Sequence, residues 1–316
     1  MKEGQLTILL LGGGRKVSLA QMFKESGKRL GYKIFIISYD LSKEVPVVLE
    51  AEVIKGLPWT DPAVVGDVCN IVSEKNVDII LPMVNGAIEV ASMCKIRLPD
   101  VFIPVTDFSV AKSLFDKVEA AKLFKNEGFP IPRTYTVLTA KMPAIVKPRR
   151  GSKSRGIQIF NDIEDLMHLQ NLSGYIIQEF LRNCKEFTVD SYIDSEGRIL
   201  VSVPRERIEV MGGESTRTKT CKNEELQKFN EDVIKKLKLR GPVNIQFLYD
   251  EDTDRYLLME VNPRIGGAVI CSILAGAPIA DYILLESQGR PLEPCDDWRA
   301  GTLMARYLKE AVFFNE

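Results

Sequence analysis

Histidine and closely spaced cysteines are nearly absent from this sequence. Its 316 residues include one histidine, His168, and six cysteines that form no Cys-x-x-Cys pair. A zinc site needs a cluster of such ligands, and a Ser-His-Asp triad needs a histidine placed beside a serine. The sequence therefore argues against both sites, and His168, in the helical-looking stretch DIEDLMHLQNL, is expected at the surface. Scattered free thiols are typical of a reducing compartment, so we expect a cytoplasmic protein.

Long apolar runs and a charge excess are also missing. No apolar stretch approaches the roughly 20 residues of a membrane-spanning helix, and the polar start MKEGQ does not resemble a secretion signal. The 42 basic and 43 acidic residues nearly cancel, which argues against nucleic acid as a partner. The chain has room for two or three domains. We therefore expect a multidomain protein with small-molecule partners and no membrane partner, and a homodimer is the assembly to test.

The first 105 residues alternate apolar strand patterns with helical patterns. The run LTILLL predicts a buried strand at 6–11, and three further runs predict strands at 33–38, 51–54 and 77–83. Helical patterns lie between them, and the alternation is typical of a doubly wound α/β domain with a parallel sheet. Polar residues at the carboxyl ends of the strands are substrate candidates, namely Arg15, Asn85 and Glu89.

Three glycines, Gly12 to Gly14, follow the first strand and raise the alternative of a NAD-dependent oxidoreductase. The fingerprint G-x-G-x-x-G needs a third glycine where this chain has Val17. Asp40 follows the second strand, but its spacing only loosely matches that of a ribose-binding acid. A tight turn into a helix explains the glycines, so the sequence disfavours NAD.

A hairpin is predicted over residues 243–262, where VNIQFLY and YLLMEVN flank the polar turn DEDTDR. Pairing Gln246 with Glu260 and Asn244 with Asn262 puts one carboxylate and several amides on one face, with Arg264 two residues further on. An acid in so apolar a strand is costly to bury without a partner. Such oxygen ligands suit Mg²⁺ bound to nucleotide phosphates, and an adjacent arginine can grip a phosphate oxygen.

The run NIQF followed by MEVNPR resembles the metal-binding hairpin of the ATP-grasp superfamily, and it is especially similar to one synthetase unit of the carbamoyl phosphate synthase large chain. The resemblance implies that Gln246, Glu260 and Asn262 bind Mg²⁺ (or Mn²⁺), and that Arg264 contacts the transferred phosphate. It also implies an α/β and α+β architecture with a Rossmann-like N-terminal domain and a two-lobed ATP-grasp fold. The implied segments are an N-terminal domain at 1–105, a small nucleotide-binding lobe at 106–185 and a large catalytic lobe at 186–316.

Two basic motifs extend the resemblance. We predict one helix from Thr106 or Asp107 to about Glu127, ended by Gly128. Within it, the D-K-helix-G-F-P-x-P pattern of the family would let Lys117 reach the nucleotide phosphates. The stretch AIVKPRRGSKSRGIQIF at 144–160 predicts two strands joined by a cationic loop that can cradle phosphates. By resemblance, the phosphate contacts there are Lys147 together with the backbone of Ser152, Ser154 and Gly156.

The stretch 175–193 reads as strand, linker and strand, and resembles the hinge between the lobes. The resemblance implies that the adenine base contacts the backbone of Glu179, Phe180 and Leu181, and that Glu186 holds the ribose hydroxyls. Ile145, Ile177 and Phe180 are apolar candidates to sandwich the base. An irregular basic stretch follows a strand at 198–220, then a helix capped by Asn223, and the last residues predict a closing strand. Four basic residues of 198–220 are candidates to bind an anionic substrate or the γ-phosphate, namely Arg205, Arg207, Arg217 and Lys219. The closing strand carries Arg306, and the sequence leaves open whether this residue faces the cleft.

This chain departs from the carbamoyl phosphate synthase pattern in two places, and these differences affect which reaction we expect. Where that family has an S-R-S-S-like run after N-P-R, this chain has Ile265-Gly266-Gly267-Ala268, and the loop before the metal hairpin has no counterpart of the histidine found in that family. The R-x-G-G pattern is more similar to carboxylate–amine ligases. We therefore expect an ATP-dependent ligase that forms an acyl phosphate from a carboxylate and joins it to an amine, with Arg264, Lys147 and Glu260 as catalytic residues. Carbamoyl phosphate synthesis and a non-catalytic ATP-binding subunit remain alternatives.

Overall fold

Three β-sheets organise the part of the chain that the computed structural model describes, residues 4–151, 156–169 and 171–314. The first sheet is wholly parallel, with the strand order β3-β2-β1-β4. Alternate residues of β1 face opposite layers of helices, because Ile8 packs in the cluster with α1, and Leu9 packs in the cluster with α2 and α3. The predicted doubly wound domain is confirmed. Its elements are β1 (Gln5–Leu11), α1 (Val17–Leu30), β2 (Lys33–Asp40), β3 (Glu52–Lys55), α2 (Val64–Lys75), β4 (Ile79–Pro82) and α3 (Asn85–Arg97).

The single helix predicted from Thr106 or Asp107 to Glu127 is wrong. The segment forms two helices, α4 (Phe108–Phe115) and α5 (Lys117–Asn126), which are separated by Asp116 in an extended conformation. The Asp116 carboxylate accepts hydrogen bonds from the amides of Val118 and Glu119, so it caps α5. Gly128 follows α5 with φ +77°, as predicted for a residue that ends a helix.

The second sheet is antiparallel, with the order β5-β8-β6-β7. Val146 and Ile177 pair on the face that packs against Leu166, whereas Ile145 and Ile176 lie on the opposite face. Its elements are β5 (Thr134–Tyr135), β6 (Ala144–Pro148), β7 (Gln158–Phe160), α6 (Ile163–Met167) and β8 (Tyr175–Glu179).

The third sheet has the order β13-β12-β9-β10-β11-β14. The irregular stretch predicted within 198–220 is wrong, since β10 and β11 form a hairpin that turns at Gly212 and Gly213. The predicted closing strand shortens to three residues, and the Asn223 cap is confirmed by its bond from the Leu226 amide. The elements are β9 (Cys184–Ile193), β10 (Ile199–Met211), β11 (Glu214–Thr220), α7 (Glu224–Lys236), β12 (Gly241–Asp250), β13 (Arg255–Asn262), α8 (Val269–Leu274), α9 (Ile279–Ser287) and β14 (Leu303–Ala305).

The hairpin of β12 and β13 has the predicted register at its polar end. Asn244 lies opposite Asn262, and Gln246 lies opposite Glu260. A bulge follows, because the next pair is Phe247 with Leu258, which leaves Met259 without a partner residue. The predicted polar face therefore exists, while the rest of the hairpin is shifted by one residue.

Apolar side chains from different parts of the chain pack into shared buried clusters, which hold the sheets together. Leu19 and Phe23 of α1 belong to the same buried cluster as Ile279 and Ile283 of α9, so the N-terminal sheet is packed onto helices of the third sheet. Residues of α4 and α5 are buried with the third sheet, through Leu114 and other apolar side chains. The domain boundaries at 105 and 185 stay predictions. No helix in the described ranges is long and apolar enough to cross a membrane.

Candidate active site

One cavity, which we call the lobe cavity, lies between the second sheet, α5 and the β12–β13 hairpin. Apolar side chains line most of it, including Phe124, Ile145, Ile176 and Leu258. The rest of the lining is largely polar and includes the side chains of Lys117, Lys147, Glu186, Gln246 and Glu260. The structure thus brings together five of the residues that the sequence predicts for nucleotide, phosphate and metal binding.

The two lysines of the lobe cavity come from different elements. Lys117 starts α5, and its Nζ donates to the carbonyl of Gly151 at 3.1 Å. Lys147 ends β6, and its Nζ lies 3.3 Å from Oε1 of Gln178 on β8. Burial lowers the pKa of Lys147, although the nearby carboxylates of Glu260 and Glu186 oppose that shift. An anionic ligand in this cavity would therefore meet two cations that have no carboxylate bonded to them among the described contacts.

Several predicted nucleotide contacts lie away from the lobe cavity. Glu179, Phe180 and Leu181 are not among its lining residues. The amide of Glu179 donates to the carbonyl of Arg133, and the amide of Phe180 donates to the carbonyl of Pro143, so both donors are engaged within the protein. The prediction of their adenine contacts remains untested.

Of the three residues predicted to sandwich the base, only Ile145 lines the lobe cavity. Ile177 is buried in the core of the second sheet, and Ile176 takes its place at the cavity, because neighbouring strand residues face opposite sides. Ile145 pairs with Gln178 and Lys147 pairs with Ile176, so these four side chains share the cavity face. Strand alternation predicts that Ile176 and Gln178 share a face, but only the register with β6 shows that this face is the one at the cavity.

The cationic loop after β6 is described only in part. Ser152 and Ser154 lie outside the described residues. Gly156 is described, has φ +72°, and a Cβ at this position would approach Cγ of Pro148 at 2.9 Å. A glycine is therefore required there by the backbone, while its predicted phosphate contact remains untested.

A second cavity, the domain cavity, lies between the carboxyl ends of the parallel strands and the β12–β13 hairpin. It has a volume of about 530 Å³, and polar side chains from both sides make up most of its lining. Arg15 and Asn85, two of the substrate candidates, line it, whereas Glu89 does not. The N-terminal wall includes Asp40 and Trp59, and the hairpin wall includes Asn262 and Arg264.

Arg264 connects the two walls of the domain cavity. Its Nε donates to Oδ1 of Asn85 at 2.6 Å, and one terminal nitrogen donates to the carbonyl of Ile265 at 3.0 Å. Burial lowers the pKa of the Arg264 guanidinium below its usual range, although Glu260 and Glu214 oppose the shift. A guanidinium remains charged at neutral pH even so, so this cavity holds a positioned cation next to Glu260.

The four basic candidates of residues 198–220 have different positions. Arg205 borders the domain cavity, but its side chain is only 1% exposed and its Nε lies 2.7 Å from the Asp190 carboxylate. Arg217 and Lys219 are exposed on β11 and line neither cavity. Arg207 alone of the four reaches both cavities.

Arg306, the other basic candidate, lies behind the wall of the domain cavity. It forms an ion pair with Glu214 at 2.9 Å and donates to the carbonyl of Gly267. Glu214 and Gly267 line the domain cavity, whereas Arg306 does not. The structure therefore gives Arg306 a supporting position for that wall.

A buried network supports the polar face of the hairpin. The Nδ2 group of Asn244 donates to Oδ1 of Asp190 at 2.8 Å, and the hydroxyl of Ser272 donates to Oδ2 of Asp190. Arg205 neutralises Asp190 and also donates to the hydroxyl of Thr218 at 3.0 Å. Asn244 is thus a structural member of the face, held one pair along from Gln246 and Glu260.

The donors on this face fit magnesium better than a transition metal. They comprise the carboxylate of Glu260 and the amides of Gln246 and Asn262, all oxygen donors. No group of three or more His, Cys, Asp or Glu residues suited to a metal ion occurs in the described ranges. One carboxylate with two amides suits a cation that takes its remaining ligands from phosphate and water.

A known domain family and several known proteins are similar to parts of this chain. The family described as ATP-grasp domain matches residues 114–268. The carbamoyl phosphate synthase large chain of Methanobrevibacter smithii is 25% identical, and the C-terminal section of that protein from Methanopyrus kandleri is 26% identical. The alignments cover 70% and 82% of this chain, respectively. The chain spans 54% of the Methanopyrus protein and 24% of the Methanobrevibacter protein, about half and a quarter of their lengths.

Solved structures share the fold at low sequence identity. The biotin carboxylase domain of Hydrogenobacter thermophilus 2-oxoglutarate carboxylase has a TM-score of 0.75 and 16% identity, and the match covers 94% of this chain and 73% of that one. N5-carboxyaminoimidazole synthetase from Staphylococcus aureus, complexed with ADP, has a TM-score of 0.74 and 19% identity, with coverages of 93% and 80%. These likenesses confirm the predicted architecture, a Rossmann-like domain followed by the two lobes.

Proposed function

We propose that this chain, which carries an ATP-grasp domain, is a ligase that uses ATP to join a carboxylate to an amine and releases ADP and phosphate. The observation that carries the proposal is the meeting of two different cavities at Glu260. The lobe cavity combines apolar side chains with Lys117 and Lys147, which suits a base and its phosphates. The domain cavity is polar and presents Arg264 beside Glu260, which suits a carboxylate substrate.

In the proposed complex, the adenine base lies between apolar side chains such as Ile145 and Ile176. The phosphates extend towards Lys147 and Lys117, whose charges balance theirs. Glu186 would accept hydrogen bonds from the ribose hydroxyls, as the resemblance to the family implies. The biotin carboxylase domain solved with MgADP and the synthetase solved with ADP support the proposal that this fold binds a nucleotide.

Glu260, Asn262 and Gln246 would hold Mg²⁺. When bound, this ion neutralises charge on the β- and γ-phosphates and orients them for transfer. The protein keeps its own ligands few, and so leaves coordination positions for phosphate oxygens.

The proposed reaction has two steps. A substrate carboxylate oxygen in the domain cavity attacks the γ-phosphorus, the bond to the bridging oxygen of ADP breaks, and an acyl phosphate forms. An amine nitrogen then attacks the acyl carbon, and phosphate leaves as the amide forms and the nitrogen loses a proton. Arg264 would hold the carboxylate and then the acyl phosphate, while Lys147 stays with the nucleotide phosphates. Rate enhancement comes from positioning and charge stabilisation, so no nucleophilic side chain is required.

Magnesium-dependent ADP release tests the proposal. Purified protein is supplied with ATP and a panel containing bicarbonate with ammonia, and pooled amino acids alone and in pairs. We expect release that requires an amino-acid pool, and loss of that release in Glu260→Ala. Glu251→Ala is a matched control, because Glu251 lies in the turn of the same hairpin and its carboxylate pairs with the half-exposed Lys185. Near-normal release by Glu260→Ala would contradict the metal and catalytic assignments.

A second candidate function is carbamoyl phosphate synthesis, which the sequence likeness to the large chain of that synthase favours. Release that needs only bicarbonate and ammonia would support it over the ligase. Tight MgATP binding without any release would instead support the non-catalytic ATP-binding subunit. The homodimer stays a prediction; the related biotin carboxylase domain was solved as a dimer.

A further inference from the structure

The lobe cavity and the domain cavity meet at a small junction. Four residues line both cavities, namely Arg207, Gly213, Gln246 and Glu260. Under the proposed function, a phosphoryl group must pass from the nucleotide in one cavity to the carboxylate in the other. That group therefore crosses the junction, and Arg207 is the cationic residue among the four.

We infer that Arg207 is a catalytic residue that contacts the transferred phosphoryl group, an inference that rests on the proposed function. The sequence offers it only as one of several basic candidates, and the comparisons assign it no role. Its side chain is 6% exposed, so a ligand at the junction would meet it in a largely water-free environment. Charge-assisted hydrogen bonds are strongest in such surroundings.

In the structure, Arg207 contacts two residues that would bind magnesium and ATP in the proposed complex. One terminal nitrogen donates to Oε1 of Gln246 at 2.9 Å and lies 3.1 Å from the Glu186 carboxylate. Gln246 is a proposed magnesium ligand, and Glu186 is the proposed partner of the ribose. Binding of MgATP would therefore release this nitrogen from both contacts at the moment a phosphate arrives.

The remaining contacts would hold Arg207 in place after that release. Its second terminal nitrogen donates to the carbonyl of Gly213 at 2.9 Å, and its Nε donates to the hydroxyl of Ser215 at 3.2 Å. Both partners belong to the β10–β11 hairpin, so the guanidinium would stay anchored on one side and face the phosphoryl group on the other. The planar fork of arginine allows this division of donors, whereas the point charge of lysine does not.

Nucleotide binding tests the inference without any need for turnover. Calorimetry with Mg²⁺ compares the affinity for ADP with the affinity for a non-hydrolysable ATP analogue, which differs by the terminal phosphoryl group. We expect the wild type to prefer the analogue, and Arg207→Ala to lose about tenfold or more of that preference, the scale of a hydrogen bond to a charged group. The affinity of Arg207→Ala for ADP should be unchanged or higher, because Glu186 no longer has a competing cation.

Two further variants separate this role from a structural one. Arg217→Ala removes an arginine of the adjacent strand that lines neither cavity, and should keep the wild-type preference. Arg207→Lys keeps the charge and should recover only part of the preference. An unaltered preference in Arg207→Ala, or an equal weakening of ADP and analogue, would overturn the inference while leaving the proposed function intact. A wild type that binds neither nucleotide would overturn both.

Discussion

Arg205 and Arg207 lie two residues apart on β10 and point to the same side of the sheet, but their ion-pair partners differ in exposure. Arg205 and its partner Asp190 have side chains 1% and 2% exposed. Arg207 is 6% exposed, but its partner Glu186 is 39% exposed and lines the lobe cavity. A charge whose partners are all buried can only support the fold, whereas a charge whose partners face a cavity can exchange them for a ligand. The partners of each arginine, and not its burial alone, therefore distinguish a structural role from a role in ligand binding.

Among the changes that test the difference between Arg205 and Arg207, replacement of Asp190 is expected to have the largest effect. Replacement by alanine leaves Arg205 buried without a countercharge, so Asp190→Ala should lower the free energy of unfolding by about 3–5 kcal/mol. Urea unfolding of the apoprotein measures this. Adding Arg205→Met should recover most of the loss, because the uncompensated charge is then gone. A loss below about 1 kcal/mol, the range of surface ion pairs such as Glu231 with Lys235, would remove the distinction between the two arginines.

A smaller effect is expected for replacement of Asn85, which bonds to a third arginine, Arg264, across the domain cavity. Asn85 accepts from Nε of Arg264 at 2.6 Å, so Asn85→Ala frees this guanidinium to leave its position. We expect kcat to fall by about tenfold, the scale of a misplaced reacting group, with KM for ATP unchanged. Steady-state ADP release measures both. Asn85→Ser keeps an oxygen acceptor without adding a negative charge and should recover part of the wild-type kcat; a fall equal to that of Asn85→Ala would show that the bond to Arg264 is not the cause.

The smallest effect concerns Arg149 and Asp116, an ion pair that joins the start of α5 to the end of β6. Burial acts to raise the pKa of Asp116, but the Arg149 hydrogen bond and the two capping amides prevail and lower it. The carboxylate therefore stabilises the fold above the ordinary aspartate pKa of 3.8, and this contribution disappears as the pH falls below that value.

Removal of the Asp116 carboxylate should accordingly have a pH-dependent cost. Asp116→Ala should lower the free energy of unfolding by about 1 kcal/mol at pH 7, the scale of a lost helix cap. The difference from the wild type should shrink as the pH falls from about 4 towards the lowered pKa of Asp116 in the folded protein, because the unfolded wild type binds this proton at a higher pH than the folded wild type does. Urea unfolding at several pH values measures the difference. A difference that does not change with pH would assign the effect to packing.

Sequence patterns predicted the fold, and they also predicted which residues share the polar face of the β12–β13 hairpin. Strand alternation alone places Gln246, Glu260 and Asn262 on one face, and the registered motifs select Lys117 and Lys147 among many lysines. The break at Asp116 escaped prediction, because apolar periodicity continues through it while the capping bonds depend on local backbone geometry. Alternation also puts Arg205 and Arg207 on the same face, so it cannot separate them. Their difference comes from Asp190 and Glu186 on a neighbouring strand, and from the cavities, which exist only in the folded chain.

The central claim is that the phosphoryl group passes from the nucleotide to a carboxylate where the two cavities meet. The most direct measurement uses ¹⁸O in the carboxylate that supports ADP release, with mass analysis of the released phosphate. Attack by the carboxylate oxygen on phosphorus predicts one ¹⁸O atom in each phosphate, because that oxygen leaves with the phosphate when the amine attacks. Unlabelled phosphate, released at the same rate as ADP, would show that water is the acceptor and would contradict the account.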